Sequence, residues 1–394
     1  MNTLLTQTIL TLQQLKLNDK TIETILQTSD SHPFESQSLF ELCNKNSDVF
    51  IGKNTPPSLD SLNRVWSNVQ DIIQLSIQNN VKIISRYDNE FPAILKDIPH
   101  SPLLLHVKGN ISLLNEKSIA VVGTRNPTTF GEGKALEVSE ALANEGYTIV
   151  SGLAIGVDTA AHTGALKANG HTIAVLAHGL QTVYPAANKG LAQKILEHNG
   201  ALVSEYPWNT TLEPWKLIQR DRIQSGLSLG VFVIETGIKG GTMHTVDFCK
   251  KQNHVLIILQ HPSEWDRDVN TWGNKELIKK FESNKNFVVY RDSSDYHEVS
   301  EKVNVIYQGA INSRTIKDFL NTAGSNELIK HTVQEPVSGP AYVMEYNPDE
   351  GFLKPNTVVK DTPNKKTTKG KSKKPKKAMS KGKSGDIPKD QTTF

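Results

Sequence analysis

The chain has 394 residues, 37% of them hydrophobic and 22% charged, which is enough for two or three domains. No apolar run approaches the about twenty residues of a membrane span, and residues 1–13 lack the basic start of a signal peptide, so we expect no membrane contact. The two cysteines, Cys43 and Cys249, lie far apart and match no zinc pattern, which predicts a reducing cytoplasm and no metal site.

The formal net charge of +3 conceals a basic end. Residues 361–394 contain eleven Lys and three Asp, a net charge of +8, so the remaining chain carries −5. Because this end has almost nothing to bury, we predict a disordered Lys-rich tail. The tail is either a salt-sensitive contact for nucleic acid or a solubilising extension.

The pattern of residues 1–78 predicts a small helical domain. Leu5, Ile9 and Leu12 recur at helical spacing, and Asn18 can cap a second helix. Such a module either binds the DNA backbone without specificity or serves for packing and interaction. No basic cluster marks an edge that would face phosphates.

The pattern of residues 80–300 predicts one α/β domain, with lead-in strands in 80–117 and a core over 118–290. The core alternates short apolar strands with helices, the first of them over Lys134–Glu145. Because both faces of these strands are apolar, we predict a mostly parallel sheet covered by helices on both sides. The fold class is therefore α/β, an extended Rossmann-like sheet preceded by a small helical domain and followed by a disordered basic tail. The pattern is weak in the C-terminal region 301–360, where we predict only a short helix, Thr315–Leu320.

Glycine-rich loops follow three of the predicted strands. In the first, Gly123 lets the backbone approach a ligand, and Arg125 adds a planar donor fork that suits phosphate. The second begins with Ser151-Gly152, and loops at adjacent strand ends border the crevice where open α/β sheets bind ligands. The loops match neither the dinucleotide fingerprint nor the Walker lysine. We therefore predict a phosphate site, the alternative being glycine turns that only pack helices on the sheet. The third loop, Lys239–Thr245, opens another helix.

Several ordered motifs resemble the DNA-processing protein DprA/Smf family over about residues 80–282. They are Gly123-Thr124-Arg125, Ile149–His162, Tyr184-Pro185, Ser204–Pro207, Arg220–Ser228 and Trp272–Ile278. The resemblance implies a Rossmann-like domain that binds single-stranded DNA, forms a homodimer and helps to load a RecA-type recombinase in DNA uptake and recombination. It implies neither an enzymatic activity nor a cofactor.

The resemblance also implies where DNA binds, since the family's pocket uses the Gly-Thr-Arg loop, an Arg-x-Arg segment and the third glycine loop. With the second loop included, the predicted DNA- or phosphate-binding residues are Gly123, Thr124, Arg125, Ser151, Gly152, Arg220, Arg222, Lys239, Gly240, Gly241 and Thr242. The alternative for the two arginines of the Arg-x-Arg segment is ion pairing with Asp221 or Glu205.

Departures from the family's pattern leave other functions open, and one is Gly240, which stands where the family has Ser and so loses a hydroxyl donor. Asp221 stands where the family usually has Asn, and a carboxylate beside a phosphate site repels the ligand. An interaction scaffold with a vestigial pocket is therefore one alternative. The other is a nucleotide-binding sensor or a phosphoribohydrolase-like enzyme on the same fold. Its catalytic Glu is replaced here by His244, so Glu235 or Asp158 would have to act as acid or base.

Overall fold

The computed structural model describes residues 3–28, 35–50 and 55–322, together with two short strands at 344–347 and 352–355. Residues 1–324 form one compact unit and residues 325–394 a second. The second unit contains an antiparallel strand pair, β10 (Met344–Asn347) and β11 (Phe352–Pro355). The predicted disordered tail lies outside the described residues.

A nine-stranded sheet organises the first unit, and its spatial order is β1-β2-β6-β5-β4-β3-β7-β8-β9. Strands β3 to β9 are all parallel to one another, whereas β2 is antiparallel to β6 and β1 is antiparallel to β2. The strands are β1 Val81–Ser85, β2 Leu104–Gly109, β3 Ser118–Val122, β4 Thr148–Ser151, β5 Thr172–Leu176, β6 Ala201–Ser204, β7 Gly230–Val233, β8 Val255–Leu259 and β9 Phe287–Tyr290.

Of the described helices, the first four precede the first strand in the chain, and the others follow it. They are α1 Thr3–Gln14, α2 Asp19–Gln27, α3 Ser36–Lys45, α4 Leu59–Gln78, α5 Ala93–Lys96, α6 Thr129–Asn144, α7 Val157–Lys167, α8 Lys189–Glu197, α9 Pro214–Gly226, α10 Thr242–Lys251, α11 Trp272–Phe281 and α12 Tyr296–Thr322. Within the described ranges, no helix is long and apolar enough to cross a membrane.

The alternation of strand side chains divides the core between the two faces of the sheet. On β3, Ile119 and Val121 enter the cluster that contains residues of α6, α7 and α12. Ala120 and Val122 enter the opposite cluster, with residues of α9, α10 and α11. Each strand therefore needs apolar residues at successive positions, and this is why the strands can be recognised in the sequence as short continuous apolar runs. The predicted α/β class with helices on both faces is confirmed.

The first four helices share a core that reaches the sheet. Asn18 caps α2 as predicted, because its side-chain oxygen accepts a hydrogen bond from the Thr21 N–H at 2.9 Å. The cluster of these helices includes Ile83 of β1, Leu104 of β2 and Leu103, which precedes β2. The helices thus pack on the antiparallel end of the sheet, and the domain boundary near residue 79 stays a prediction.

Two predicted helices have the wrong extent. Helix α6 starts at Thr129 rather than Lys134, because Thr128 caps it by accepting a hydrogen bond from the Gly131 N–H at 3.0 Å. Helix α12 spans 27 residues rather than the six predicted at Thr315–Leu320. Its first turns are stabilised by Val299 and Val303, which pack into the core beneath. Helices α5, α9 and α11 and strands β9, β10 and β11 are not predicted by the sequence pattern.

The close approach of α6 and α7 depends on Gly164, and replacing it tests this packing. A Cβ at this position would lie 2.3 Å from the Leu136 carbonyl oxygen. We expect Gly164→Ala to lower the free energy of unfolding by about 2 kcal/mol, since an overfilled helix contact has to move apart. Chemical denaturation measures the change.

The matched control is Gly133→Ala on the exposed side of α6, where a Cβ would meet nothing within 4 Å. Alanine is the better helix former, so this variant should be as stable as the original chain or gain up to about 1 kcal/mol. Equal stability of the two variants would contradict the close packing.

Candidate functional site

The candidate site lies at the carboxyl edge of the parallel strands, where the strand order reverses. Strands β3, β4, β5 and β6 succeed one another in one direction, whereas β7 adds to the other side of β3. The loops after β3 and β7 therefore leave the sheet side by side, at the kind of position where open α/β sheets bind ligands. The first and third glycine loops are these two connections.

Glu235 lies just beyond β7 and connects the loop after β7 to the first glycine loop by hydrogen bonds. Its main-chain oxygen accepts the Thr124 N–H at 2.8 Å, and its buried carboxylate accepts the Thr128 N–H at 2.8 Å and the Thr128 hydroxyl. His261, beyond β8, contacts the same carboxylate through Nε2 at 3.2 Å. Burial alone would raise the pKa of Glu235, but the hydrogen bonds from His261 and Thr128 outweigh it and hold the pKa below its usual range. Glu235 is thus fully engaged in holding the loops.

The first loop is packed so closely that glycine is required at its base. A Cβ on Gly123 would lie 2.6 Å from Val157 Cγ2 and 3.0 Å from the Glu235 carbonyl oxygen. The Thr124 carbonyl accepts the Val157 N–H at 3.2 Å. Gly123 therefore seats the loop against α7, and Thr124 supports it through its main chain. The side chain of Arg125 remains exposed above them.

The second loop contributes its main chain to the framework. Ser151 Oγ donates to the Val121 carbonyl at 2.8 Å, and the Gly152 N–H donates to Asp158 Oδ2 at 3.1 Å. Asp158 also accepts the Ala154 N–H at 3.3 Å. Burial raises the pKa of Asp158, and the Arg220 guanidinium opposes that rise. Asp158 thus holds the loop before α7 by hydrogen bonds. The Ser151 hydroxyl and the Gly152 N–H are both used within the protein and are not offered to a ligand.

Arg220 is buried, and backbone carbonyls hold it in place. Its Nη1 donates to the Gly152 and Val175 carbonyls at 2.8 and 2.6 Å, and its Nε lies 3.1 Å from Asp221 Oδ1. Gly152 is needed here, because a Cβ would lie 2.1 Å from that Nη1. Burial raises the pKa of Asp221 to about 6, although the charges of Arg220 and Arg125 oppose the rise. A titratable carboxylate therefore lies next to the two arginines.

Arg222 lies elsewhere, although it is only two residues further along the chain. Both nitrogens of its fork bond the Glu205 carboxylate, its Nε donates to the His100 carbonyl at 3.0 Å, and its Nη1 also donates to the Gln219 carbonyl. Residues two apart on a helix point in different directions. The structure therefore does not bring Arg222 to Arg125 and Arg220, and the ion-pair alternative describes its contacts.

A cavity of about 70 Å³ opens between Arg125 and Arg220. It is far smaller than the about 300 Å³ at which pockets for drug-sized ligands begin, so it suits one small group such as a phosphate. Five of its lining residues are not among the predicted site residues: Ala154, Ile155, Tyr184, Pro185 and Leu217. Tyr184 follows the predicted strand β5 and is about half exposed, so its place after a parallel strand could have signalled it.

The third loop presents a second cation and a helix start. Lys239 is exposed and makes no hydrogen bond or ion pair with the described residues. Gly240 has to be small, because a Cβ would lie 2.6 Å from Thr236 Oγ1. The carbonyls of Gly240 and Gly241 accept the N–H groups of the two residues after Thr242, where α10 begins. The remaining N–H groups of that first turn lie at a helix N-terminus that follows Lys239, and such a terminus favours negative charge.

Comparisons with known proteins agree with this fold. The family model for DNA recombination-mediator protein A matches residues 82–288. The DNA processing protein DprA of Bacillus subtilis is 39% identical over 168 residues, 42% of this chain and 55% of that protein. The protein Smf of Escherichia coli is 35% identical over 219 residues, 55% of this chain and 59% of that protein. The chain thus spans little more than half the length of these curated relatives.

One solved structure is similar to this chain over most of the length of both chains. The X-ray structure of DNA processing protein A from Streptococcus pneumoniae aligns with a TM-score of 0.60 at 26% identity, covering 74% of this chain and 96% of that one. The family model covers more than half of the residues, and its range contains the first, second and third glycine loops and the Arg-x-Arg segment. The chain belongs to the DNA recombination-mediator protein A family, the DprA/Smf family of DNA-processing proteins.

Proposed function

We propose that this chain binds single-stranded DNA at the carboxyl edge of its sheet, with Arg125 and Lys239 on its phosphates. The observation that carries the proposal is the exposed Arg125 guanidinium. It makes no hydrogen bond or ion pair with the described residues, and it borders a phosphate-sized cavity beside the fixed cation Arg220. Single-strand binders combine such cations with backbone amides that follow the phosphates, and the start of α10 offers those amides.

All of the predicted binding residues have a part in this proposal except Arg222, whose fork pairs with Glu205 instead. Arg125, Lys239, Gly241 and Thr242 contact phosphate. Arg220 supplies a fixed positive charge at the cavity. The other predicted residues position these groups: Gly123, Thr124, Ser151, Gly152 and Gly240. The proposal has no catalytic step, because the two carboxylates available as acid or base, Asp158 and Glu235, are occupied by main-chain and threonine donors.

The biological part of the proposal follows from membership of a DNA-processing family. The protein would protect single-stranded DNA in uptake and recombination and help to load a RecA-type recombinase, acting as a homodimer in the cytoplasm. Both cysteines are buried thiols that form no disulfide, which suits a reducing compartment.

Removing either exposed cation should weaken binding of oligo-dT. We expect Arg125→Ala and Lys239→Ala each to lower the affinity at moderate salt about ten-fold, which corresponds to about 1.4 kcal/mol. The slope of log K against log salt should fall by about 0.7 for each lost phosphate contact to single-stranded DNA. Fluorescence anisotropy across a salt series, with the full chain and with residues 1–324, measures both quantities.

The charge-matched control is Lys20→Ala, at an exposed position on α2. It should leave both affinity and slope unchanged. An equal loss at Lys20 would assign DNA to the helical segment, and binding that disappears in residues 1–324 would assign it to the basic end. Competition by mononucleotides, with no binding of oligo-dT, would favour the nucleotide-sensor alternative.

The carboxylate beside the arginines should make DNA binding depend on pH. Because the pKa of Asp221 in the folded chain is about 6, the side chain is mostly charged at pH 7.5 and mostly neutral at pH 5. We expect Asp221→Asn to bind oligo-dT about five- to ten-fold more tightly at pH 7.5, since it removes a negative charge near Arg125. The advantage should shrink towards pH 5, where the original side chain is itself protonated.

The same titration affects stability. The pKa of Asp221 is higher in the folded chain than its ordinary value of 3.8, so the folded state binds more protons than the unfolded state between about pH 4 and 6. The original chain should therefore lose stability relative to Asp221→Asn as the pH rises through this window. Asp60→Asn, an exposed carboxylate on α4, is the charge-matched control. The DNA-binding prediction would be contradicted if Asp221→Asn and the original chain kept the same ratio of oligo-dT affinities from pH 5 to 7.5.

A further inference from the structure

Three exposed apolar side chains lie in the segments that follow β7 and β8, two of them on loops and the third at the first residue of α11. They are Ile238 at 51% exposure, Val269 at 59% and Trp272 at 42%. An exposed tryptophan with two exposed aliphatic neighbours is unusual on a soluble surface and indicates a binding surface. We call these three residues the apolar platform.

The two loops are fastened to each other through their main chains. The Gly273 N–H donates to the Thr236 carbonyl at 2.8 Å, and a Cβ on Gly273 would lie 2.3 Å from that carbonyl oxygen. A Cβ on Gly237 would lie 3.5 Å from the Val269 carbonyl oxygen. The residues that carry the apolar platform are therefore adjacent and held in a defined arrangement.

The indole of Trp272 is also held. Its Nε1 donates to the Asp266 carbonyl at 3.1 Å, and Lys275 pairs with the Asp266 carboxylate at 2.6 Å. The polar edge of the ring is thus satisfied within the protein while much of the side chain stays in solvent. A ring whose orientation is fixed in advance loses little entropy when a flat ligand stacks on it.

Positive charge borders the apolar platform. Lys239 follows Ile238 directly in the chain, and Asn270 Nδ2 donates to the Asn126 carbonyl at 3.0 Å, which ties the platform to the loop of Arg125. Unpaired cations beside an exposed aromatic ring complement a single-stranded nucleic acid, whose phosphates need the charge and whose bases need the ring. A purely apolar protein partner would not use the charge.

We propose that the apolar platform binds nucleobases of the single-stranded DNA whose phosphates are held by Arg125 and Lys239, with one base stacked on Trp272. This inference rests on the proposed function and adds a subsite to it. Stacking is indifferent to sequence, since every base has a π-face, so the subsite favours unpaired over paired strands without selecting a base.

The test compares oligo-dT with an abasic strand of the same length and charge, using the full chain. Trp272→Ala should lower the affinity for oligo-dT about ten-fold and leave the affinity for the abasic strand unchanged. Trp272→Phe, which keeps an aromatic face, should recover most of the loss. Val269→Ser should give a smaller loss, again only on the strand with bases. Tyr87→Ala, an exposed aromatic beyond β1 at the other end of the sheet, is the matched control and should have no effect.

Two outcomes would overturn the inference. One is a loss that is equal on both strands, and the other is no loss on either strand for Trp272→Ala and Val269→Ser. If the same variants changed the oligomeric state in light scattering and left oligo-dT binding intact, the apolar platform would be an interface between copies of the chain. Failure of the proposed function is distinguishable, because Arg125→Ala and Lys239→Ala would then have no effect on either strand.

Discussion

The arrangement of the site depends on the buried carboxylate of Glu235. It accepts hydrogen bonds from Thr128, at the start of α6, and contacts His261 beyond β8, while its main-chain oxygen accepts the Thr124 N–H. A buried charge is costly unless it is fully hydrogen-bonded, so this side chain holds together the segments that satisfy it. The glycine loops above it are fixed in position as a consequence, and Arg125 and Lys239 project from a rigid base.

The arginines near the site have separate tasks. Arg220 is fixed by carbonyls of two strand ends and supplies charge in a constant position, whereas Arg125 has no partner among the described residues and can meet a ligand. Arg222 stabilises the neighbouring loop through Glu205. Asp221, with its raised pKa, lowers the positive potential only when it ionises. The positive charge offered to a phosphate is therefore smaller than a count of arginines suggests.

The fold was predictable from sequence because β3 and its neighbours are apolar on both faces and alternate along the chain with helices, which is the pattern of a parallel sheet covered on both sides. The position of the glycine loops followed from the strand ends. The sequence pattern does not predict that Arg220 and Arg222 point in different directions, because it assigns no helix to residues 214–226. Pro214 occupies the first turn of α9, and on a helix two residues that are two positions apart do not face the same way. Trp272 and Val269 could not be placed beside Ile238 from sequence, since the contacts that join their segments are long-range hydrogen bonds of Gly273 and Asn274 with Thr236.

The pairing of β3 with β7 has a consequence for the order in which the protein becomes competent during synthesis. Ala120 lies opposite Val231 in the register, so the two halves of the site are encoded more than a hundred residues apart. A contact of such long range is among the last to form, because the intervening chain has to close a large loop first. A ribosome-bound chain that has released only β1 to β6 has Arg125 but lacks both Glu235 and Lys239. Its first glycine loop therefore lacks the Glu235 hydrogen bonds that hold it. A nascent chain acquires the complete DNA-binding surface that we propose only after the second half of the sheet has emerged.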